Sequence, residues 1–452
     1  MQQMGARLTP NGIESQQMKA VIDGQMQGVH WAATSKEPPF VEDTRIRKAE
    51  YDIAVVGAGY CGLSIALHAA GSGLSVVVLE AGTVGCGASG RNGGFAVPHF
   101  PGGMTPEDAI AAVGPERGAR LVQLVSDGPQ FMFDQIRDLR IDCDADQSGW
   151  IQPAHSEKAL AKVQRVFRSW QARGAPVEWL DGGEVRERTG AAGYIGGWYR
   201  KSGGTVNPYA LSLGLARSAA AKGADIRQNT EVTGIRADGQ VKVLLTTKGE
   251  VRARKVVIAT NGYTSHLYPG LAQSVIPILL YHGFTRPLTD EERQCTLPTR
   301  VCFTDLRKSG GFSRLDLDNR LIIGGAIFRP SNHRAYSENH SRRRLADLFP
   351  HLKNMQIDSY WEGSCALTDA YLPAIQRLEP NVYSVIGFST RGVALAQTLG
   401  REVAGLLNET KTEAEMPVRV GGIQPITLQP LKTFLGGFAF PAYQMRDALR
   451  LS

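Results

Sequence analysis

The chain has 452 residues, of which 42% are hydrophobic and 21% are charged, a balance typical of a globular protein and a length that favours two closely packed domains. Its formal net charge of +7 comes without a long block of Lys and Arg, so no nucleic-acid partner is predicted. Six cysteines lack a CxxC pair, and neither a secretory signal nor a run of about 18 apolar residues occurs, so we expect a cytoplasmic protein without a transmembrane segment.

Residues 1–50 are predicted to form an arm that precedes the folded body. Residues 1–30 are polar, rich in Gln and Met, and show no helical or strand period. The stretch from Trp31 to Lys48 contains Pro38 and Pro39, which favours an extended segment lying on the body.

A strand–helix–strand unit is predicted after the arm. Residues 52–56 form a short apolar run with β-branched side chains, typical of a strand buried on both faces. Residues 63–70 favour a helix that Gly71 and Gly73 end, and residues 75–79 form a second buried strand. Such a unit requires a parallel sheet with a right-handed crossover.

The loop between the first strand and the helix has the spacing of a dinucleotide-binding loop. In its sequence GAGYCG, Gly57 permits a tight turn, Gly59 lets the backbone approach a pyrophosphate, and Gly62 lets helix and strand touch. The helix start offers free N–H groups and a positive dipole end to phosphates. Glu80 ends the second strand, where a carboxylate accepts hydrogen bonds from ribose hydroxyls.

Residues 85–94, GCGASGRNGG, form a second glycine-rich loop with one cation. Small residues let such a loop wrap a second phosphate and pass beneath a flat ring. The alternative is a flexible surface turn, which leaves Arg91 and Asn92 among the glycines unexplained.

Further elements follow from the spacing of apolar residues. Helices are predicted at 159–173, 208–222 and 392–407, and strands at 231–235, 241–247, 255–259 and 382–386, with a turn at 248–250. Residues 276–330 alternate in polarity and turn often, which suits a mixed sheet. The apolar segment 434–443 is too short to span a bilayer and favours a packed tail or a subunit contact.

These motifs resemble the D-amino-acid-oxidase or glycine-oxidase family of FAD-dependent amine oxidoreductases, and within it the γ-glutamylputrescine oxidoreductase branch. The resemblance is carried by a strand, GAGYCG, a helix and VVVLEAG, followed by GASGRNGG. It extends to the arm from Trp31 to Phe40, to VVIATNGY at 256–263 and to GFSTRGV at 387–393, and spans roughly residues 31–450.

The resemblance implies FAD rather than NAD, and oxidation of the C–N bond of an amine or amino acid. Hydride passes from the substrate carbon to the flavin, and the imine hydrolyses to a carbonyl and an amine. The implied fold is α/β with mixed α+β character: a Rossmann-like FAD-binding domain of the glutathione-reductase type, interleaved with a substrate domain on a mixed, largely antiparallel sheet. The expected segments are 51–105, 203–275 and 363–415 for FAD, 106–202 and 276–362 for substrate, and 416–452 for a tail.

The resemblance also implies the cofactor residues. Gly57, Gly59 and Gly62 would lie at the pyrophosphate, Glu80 on the adenosine ribose, and the Val232 backbone at the adenine. The remaining implied positions run along the phosphates and the flavin: Ala58, Tyr60, Cys61, Ala81, Gly87, Ala88, Ser89, Arg91, Asn92, Gly93, Gly94, Thr260, Gly262, Cys365, Gly387, Arg391, Gly392 and Val393.

Three residues are candidates for catalysis, although this chemistry requires no strong general base. Trp150 begins a strand-like segment expected to roof the flavin, His282 follows an apolar run, and Arg391 replaces the histidine usual in this loop of the family. The alternatives are a core aromatic, a structural histidine and simple packing. Arg391 could bind a substrate carboxylate or stabilise reduced flavin. Further pocket candidates precede the last strand: Trp361, Glu362, Thr368, Asp369 and Tyr371.

Cys365 is placed similarly to the cysteine that holds FAD covalently in the monomeric sarcosine oxidases, with a small buried cysteine as the alternative. Those cousins carry a lysine near the flavin that assists reaction with oxygen, and the corresponding strand, residues 321–325, has none. Oxygen and another electron acceptor therefore both stay open, and no metal site is predicted.

Two other functions are weighed beside amine oxidation. An NAD-dependent dehydrogenase could use the same opening fold, but the loops at 85–94 and 387–393 argue against it. A non-catalytic flavin-binding subunit that senses redox state is the third. The individual substrate and the oligomeric state are not predicted.

Overall fold

The computed structural model describes residues 26–264, 267–327, 333–433 and 443. The predictions for residues 1–25 and for most of the segment 434–443 lie outside these residues. Within them the chain is a mixed α/β protein, and no helix there is long and apolar enough to cross a membrane.

The strands, in chain order, are β1 (Tyr51–Val56), β2 (Val76–Leu79), β3 (Phe95–Ala96), β4 (Trp150–Ala154), β5 (Glu178–Asp181), β6 (Gly196–Arg200), β7 (Gly204–Thr205), β8 (Asp225–Arg227), β9 (Val232–Asp238), β10 (Val241–Thr246), β11 (Gly249–Ile258), β12 (Ile276–Pro287), β13 (Cys302–Thr304), β14 (Phe312–Leu315), β15 (Arg320–Ile327), β16 (Ile357–Leu367), β17 (Ala374–Glu379), β18 (Val382–Ile386) and β19 (Val420–Gly421). The α-helices are α1 (His30–Ala33), α2 (Tyr60–Gly71), α3 (Ala88–Arg91), α4 (Pro106–Val113), α5 (Pro115–Asp138), α6 (Glu157–Ala172), α7 (Gly182–Thr189), α8 (Pro208–Ala221), α9 (Asp290–Cys295), α10 (His333–Leu348) and α11 (Gly392–Leu407).

The first sheet is built around the predicted strand–helix–strand unit, which is confirmed. Strand β1 is parallel to β2 on one side and to β11 on the other. Strand β8 extends the sheet beyond β2 and β18 extends it beyond β11, again in parallel, while β17 pairs antiparallel with β18. The carboxyl ends of β1, β2 and β11 therefore meet at one edge, where ligands bind in open α/β sheets.

The second sheet has the order β16-β12-β15-β14-β13-β4-β6-β5. Its neighbours pair antiparallel except for the parallel pair of β13 and β4. The predicted mixed, largely antiparallel sheet is thus confirmed. Strand β16 crosses the expected boundary between residues 362 and 363, and the division into domains stays a prediction.

Helix α2 connects the first sheet to the helices that cover it. Nearly all of its residues are buried, and it packs on α8 and α11. Its contact with β1 is so close that a Cβ at Gly62 would lie 2.1 Å from the carbonyl oxygen of Gly57. The third glycine of the loop is therefore a packing residue, as its spacing predicts.

Two predicted elements differ from the structure. The strand expected at 255–259 begins earlier, at Gly249, because β11 first pairs with β10 and then with β1. The φ of +105° at Gly249 makes that hairpin tight enough to replace the expected three-residue turn. Trp31, expected in an extended segment, lies in helix α1 and is only 1% exposed, because its ring packs against Phe284 and Trp361.

Replacing Gly62 with Ala is expected to lower the free energy of unfolding by about 3 kcal/mol, because the added methyl group forces β1 and α2 apart. Gly71→Ala is the matched control at the other end of α2, where a Cβ would meet nothing within 4 Å. We expect the control to stay within about 0.5 kcal/mol of the parent or to exceed it. Urea unfolding of both variants measures the difference, and equal stabilities would contradict the packing role of Gly62.

Candidate active site

A cavity of about 1370 Å³ lies between the two sheets. One wall contains Val56 and Leu79, at the carboxyl ends of β1 and β2, and the facing wall contains Leu280 of β12 and Gly325 of β15. The loop after β2 and the N-terminus of α11 complete it. These elements are distant in sequence, so only the folded chain brings them together.

The first turn of α2 faces this cavity with free N–H groups. Its N-cap is Gly59, which has no side chain that could cap the helix. Tyr60 donates its backbone N–H to Ser89 Oγ at 3.0 Å, while the N–H groups of Cys61 and Gly62 have no acceptor within the described chain. Free N–H groups at the positive end of a helix attract an anion such as a diphosphate.

Glu80 holds a fixed carboxylate beside this helix start. Its Oε2 accepts the N–H of Ala58 at 2.7 Å, and its Oε1 accepts the N–H of Gly82 at 3.0 Å. Burial raises the pKa of the Glu80 carboxyl, while the two N–H donors favour its charged form. Because Glu80 lines the cavity, its remaining lone pairs can accept hydrogen bonds from ribose hydroxyls.

Asn92 and Arg91 hold the second glycine-rich loop in shape. Asn92 donates from Nδ2 to the carbonyl oxygens of Ala88 and Ser89, at 3.1 and 2.8 Å, and its Oδ1 accepts the N–H of Gly94 at 2.7 Å. Arg91 donates to the carbonyl oxygens of Cys86 at 2.8 Å and Glu362 at 3.2 Å. Both residues line the cavity, but these bonds fold the loop and attach it to β16.

The residues of the cavity fit FAD. A Cβ at Gly59 would lie 2.8 Å from Ser89 Oγ, and Gly57 has a φ of +104° that favours glycine, so glycine at both positions lets the loop keep this compact shape. Helix α11 supplies a second helix start on the same wall, since its N-cap Arg391 makes no capping bond. One helix start thus suits the diphosphate and the other suits negative charge on a reduced flavin.

Most of the predicted site residues lie on the cavity wall: Gly57, Gly59, Tyr60, Cys61, Glu80, Ala81, Gly87, Ala88, Ser89, Arg91, Asn92, Gly93, Val232, Thr260, His282, Cys365, Arg391, Gly392 and Val393. Five predicted cofactor residues are not among its described lining residues: Ala58, Gly62, Gly94, Gly262 and Gly387. A Cβ at Gly94 would lie 2.1 Å from the Val206 carbonyl oxygen, and one at Gly262 would lie 2.8 Å from that of Ser364. These two glycines therefore permit close packing behind the wall.

Trp150, the candidate for catalysis in the segment expected to roof the flavin, is not among the described lining residues of the cavity. Its side chain is fully buried, packs against Trp198 and His99, and donates Nε1–H to Thr304 Oγ1 at 2.9 Å. Thr304 does line the cavity. Trp150 thus supports the wall from behind, because its large ring is packed in the core.

His282 presents a neutral imidazole to the cavity from β12. The ring is buried between Phe312 and Trp361, with ring centroids 5.5 and 5.6 Å away. Its Nδ1 has no hydrogen-bond partner among the described residues. Burial lowers the pKa of the His282 imidazole to about 3. The ring can therefore exchange hydrogen bonds with a ligand at neutral pH but carries no charge.

Arg391 adds a positive charge to the cavity lining at the N-terminus of α11. Its Nε donates to the His99 carbonyl oxygen at 3.1 Å, and its Nη1 donates to the carbonyl and hydroxyl oxygens of Thr390 at 3.4 and 3.3 Å. Burial lowers the pKa of the Arg391 guanidinium to about 10, so it stays charged at neutral pH. No described carboxylate pairs with it, which leaves the charge available to an anionic ligand.

Cys365 also lies on the wall, in β16. Burial raises the pKa of its thiol to about 11, so the nucleophilic thiolate is rare at neutral pH. A covalent bond to FAD at this residue stays a prediction. Among the other pocket candidates, Tyr371 lines the cavity, while Trp361 lies behind the loop after β2.

Two residues of the cavity were missed although they lie in the NGY motif after β11. The ring of Tyr263 lies against Gly87, its hydroxyl accepts the N–H of Ser364 at 3.1 Å, and burial raises its pKa to about 12. Asn261 Oδ1 accepts the N–H of Gly387 at 2.8 Å, which joins the loops after β11 and β18. The position of this motif at a strand end was the available signal.

Comparison with known proteins gives a consistent result. The model of the family DAO, described as FAD dependent oxidoreductase, matches residues 52–406. The chain is 32% identical over 379 residues to gamma-glutamylputrescine oxidoreductase of Escherichia coli (strain K12), which covers 83% of this chain and 87% of that protein. It is 28% identical over 380 residues to glycine oxidase of Geobacillus kaustophilus (strain HTA426), covering 81% and 95%.

Solved structures share the fold. The crystal structure of glycine oxidase from Geobacillus kaustophilus superposes with a TM-score of 0.68 at 26% identity, covering 82% of this chain and 99% of that one. L-proline dehydrogenase from P. horikoshii gives a TM-score of 0.69 at 20% identity, covering 82% and 98%, a likeness of fold alone.

Replacing His282 with Gln is expected to flatten the pH dependence of stability. The pKa of His282 is about 3 when folded, below the ordinary 6.5 of an unfolded histidine, so the unfolded chain binds the proton first as pH falls. Stability therefore decreases below about pH 6.5, and His282 contributes about 2.5 kcal/mol of the loss at about pH 4.5. Urea midpoints of cofactor-free protein at about pH 7 and about pH 4.5 measure this. A slope equal to that of the parent would show that the folded cavity protonates the ring.

Proposed function

The chain belongs to the DAO family of FAD-dependent oxidoreductases, and we propose that it oxidises the C–N bond of an amine or amino acid that also carries a carboxylate. Two of its relatives, gamma-glutamylputrescine oxidoreductase and glycine oxidase, are named after an amine and an amino acid. The observation that carries the proposal is one continuous cavity lined by the free helix start, Glu80 and Arg391 and, on the facing wall, by His282.

The dinucleotide half of the cavity would hold FAD. The first turn of α2 binds the diphosphate, and Glu80 accepts hydrogen bonds from the adenosine ribose. When bound, FAD supplies the acceptor for the hydride that leaves the substrate carbon.

The other half of the cavity is suited to an apolar chain next to the reacting carbon. Phe95 and Phe312 line it with edge-to-face rings 5.5 Å apart, and Leu280 adds an aliphatic surface. Such walls exclude water around the substrate, which protects the imine until it is released and hydrolysed.

The neutral His282 determines which protonation state of the substrate amine can react. An imidazole with a pKa of about 3 is too weak a base to remove a proton from an ammonium group. It can hold a neutral amine by a hydrogen bond, so the reactive form of the substrate is the free amine. Arg391 then binds the carboxylate, because it is a charged group on the wall whose described bonds go to backbone carbonyls and one hydroxyl.

The family match removes the NAD-dependent dehydrogenase from the alternatives. A non-catalytic flavin-binding subunit stays as the second candidate. The second half-reaction, in which oxygen or another acceptor takes the electrons, stays a prediction: β15 contributes Gly325 and Ala326 to the wall and no lysine.

The proposal is tested by adding amines to the yellow holoenzyme without oxygen. We expect γ-glutamylputrescine or a methylamino acid to bleach the flavin, and putrescine, which lacks a carboxylate, to require a much higher concentration. Arg391→Gln should raise about tenfold the concentration of the carboxylate-bearing substrate at which bleaching reaches half of its maximal rate, because a charge-assisted pair is lost. Arg377→Gln, at an exposed ion pair with Glu413, is the control and should leave it unchanged. A flavin that no amine bleaches would establish the non-catalytic candidate instead.

A further inference from the structure

Four successive carbonyl groups of the loop after β2 accept hydrogen bonds from buried side chains of other segments. Trp361 of β16 donates its Nε1–H to the Arg91 oxygen at 2.8 Å. Trp31 of the arm donates its Nε1–H to the Asn92 oxygen, also at 2.8 Å. The next two oxygens, of residues 93 and 94, accept from Arg314 of β14 at 3.3 and 3.5 Å.

The three donors form one cluster. The rings of Trp31 and Trp361 meet edge to face with centroids 5.9 Å apart, and the Arg314 guanidinium lies 5.0 Å from the Trp31 ring centroid. All three side chains are at most 4% exposed. Removal of any one of the three donors would leave at least one of these carbonyl oxygens without its described partner, which is unfavourable where water cannot replace the donor.

The arm is fastened on both sides of this loop. His30 pairs with Asp316 at 3.0 Å, next to β14, and Asn207 donates from Nδ2 to the Trp31 carbonyl oxygen at 3.1 Å, at the start of α8. The family model begins at residue 52, so this arm lies outside the matched region.

The loop that these bonds hold forms part of the cavity wall. Arg91, Asn92 and Gly93 line it, and a Cβ at Gly93 would lie 2.6 Å from the Phe95 ring and 3.6 Å from His282 Cε1. A shift of this backbone would therefore change both the cofactor half and the substrate half of the cavity.

We propose that Trp31 is a positioning residue of the active site: through its bond to Asn92, the N-terminal arm holds the loop after β2 in the conformation that binds FAD. The inference rests on the proposed function, because it requires FAD in this cavity. Without the indole N–H, the loop of the cofactor-free protein rearranges so that water donates to the Asn92 carbonyl oxygen. FAD binding must then reverse this rearrangement, which weakens the affinity. The arm is thus an active-site element that lies outside the region matched by the family model.

The test compares Trp31→Phe with Trp198→Phe, both on a Cys365→Ser background that cannot hold FAD covalently at that position. Trp198 is a matched control: its ring is fully buried and donates Nε1–H to Gln152 Oε1 at 3.0 Å, away from the loop. Diluting each holoenzyme and following the fluorescence of released FAD gives the dissociation constant, and thermal unfolding gives the stability.

Trp31→Phe should raise the FAD dissociation constant about tenfold, and Trp361→Phe should act in the same direction. Trp198→Phe should leave the FAD dissociation constant within about twofold of the parent value, even if it lowers the unfolding temperature as much as Trp31→Phe does. An unchanged constant in Trp31→Phe, or an equal rise in the control, would overturn the inference. A parent protein that binds no FAD would instead overturn the proposed function.

Discussion

The close contact of strand β1 with helix α2 is the constraint on which the site depends. Only glycine at position 62 lets the helix start so near the strand, and this approach points the free N–H groups of the first turn at the carboxyl edge of the sheet. Glu80 directly follows the neighbouring strand β2, and its hydrogen bond from the Ala58 N–H attaches it to the same loop. Helix start and carboxylate therefore form one rigid unit that suits a diphosphate and its ribose.

The second sheet forms the facing wall of the cavity and so encloses the space beside the nucleotide site. Strands β12 and β15 bring apolar surface and the neutral His282 opposite the nucleotide edge, while the N-terminus of α11 brings Arg391. Burial acts on the two groups with different results: it removes the charge of the imidazole and leaves that of the guanidinium. A cavity that holds this charged guanidinium and this neutral imidazole beside aromatic rings is suited to a free amine that carries an anionic group.

Local patterns in the sequence predict the nucleotide half of the site well. The glycine spacing, the alternation of the strands and the position of Glu80 all concern residues within one short unit, whose geometry follows from backbone rules. The roles of Trp31 and Trp150 could not be obtained this way. Trp31 bonds to a residue 61 positions away, and Trp150 to one 154 positions away. A tertiary hydrogen bond of this kind leaves no period or motif in the chain.

The central claim is that the protein binds FAD through its adenosine diphosphate half. Titration of cofactor-free protein with FAD and with FMN, which carries the same ring system and one phosphate but lacks adenosine monophosphate, tests this most directly. The account predicts that FAD binds at least about 100-fold more tightly than FMN, a difference of about 2.7 kcal/mol. Equal affinities for the two cofactors would contradict it.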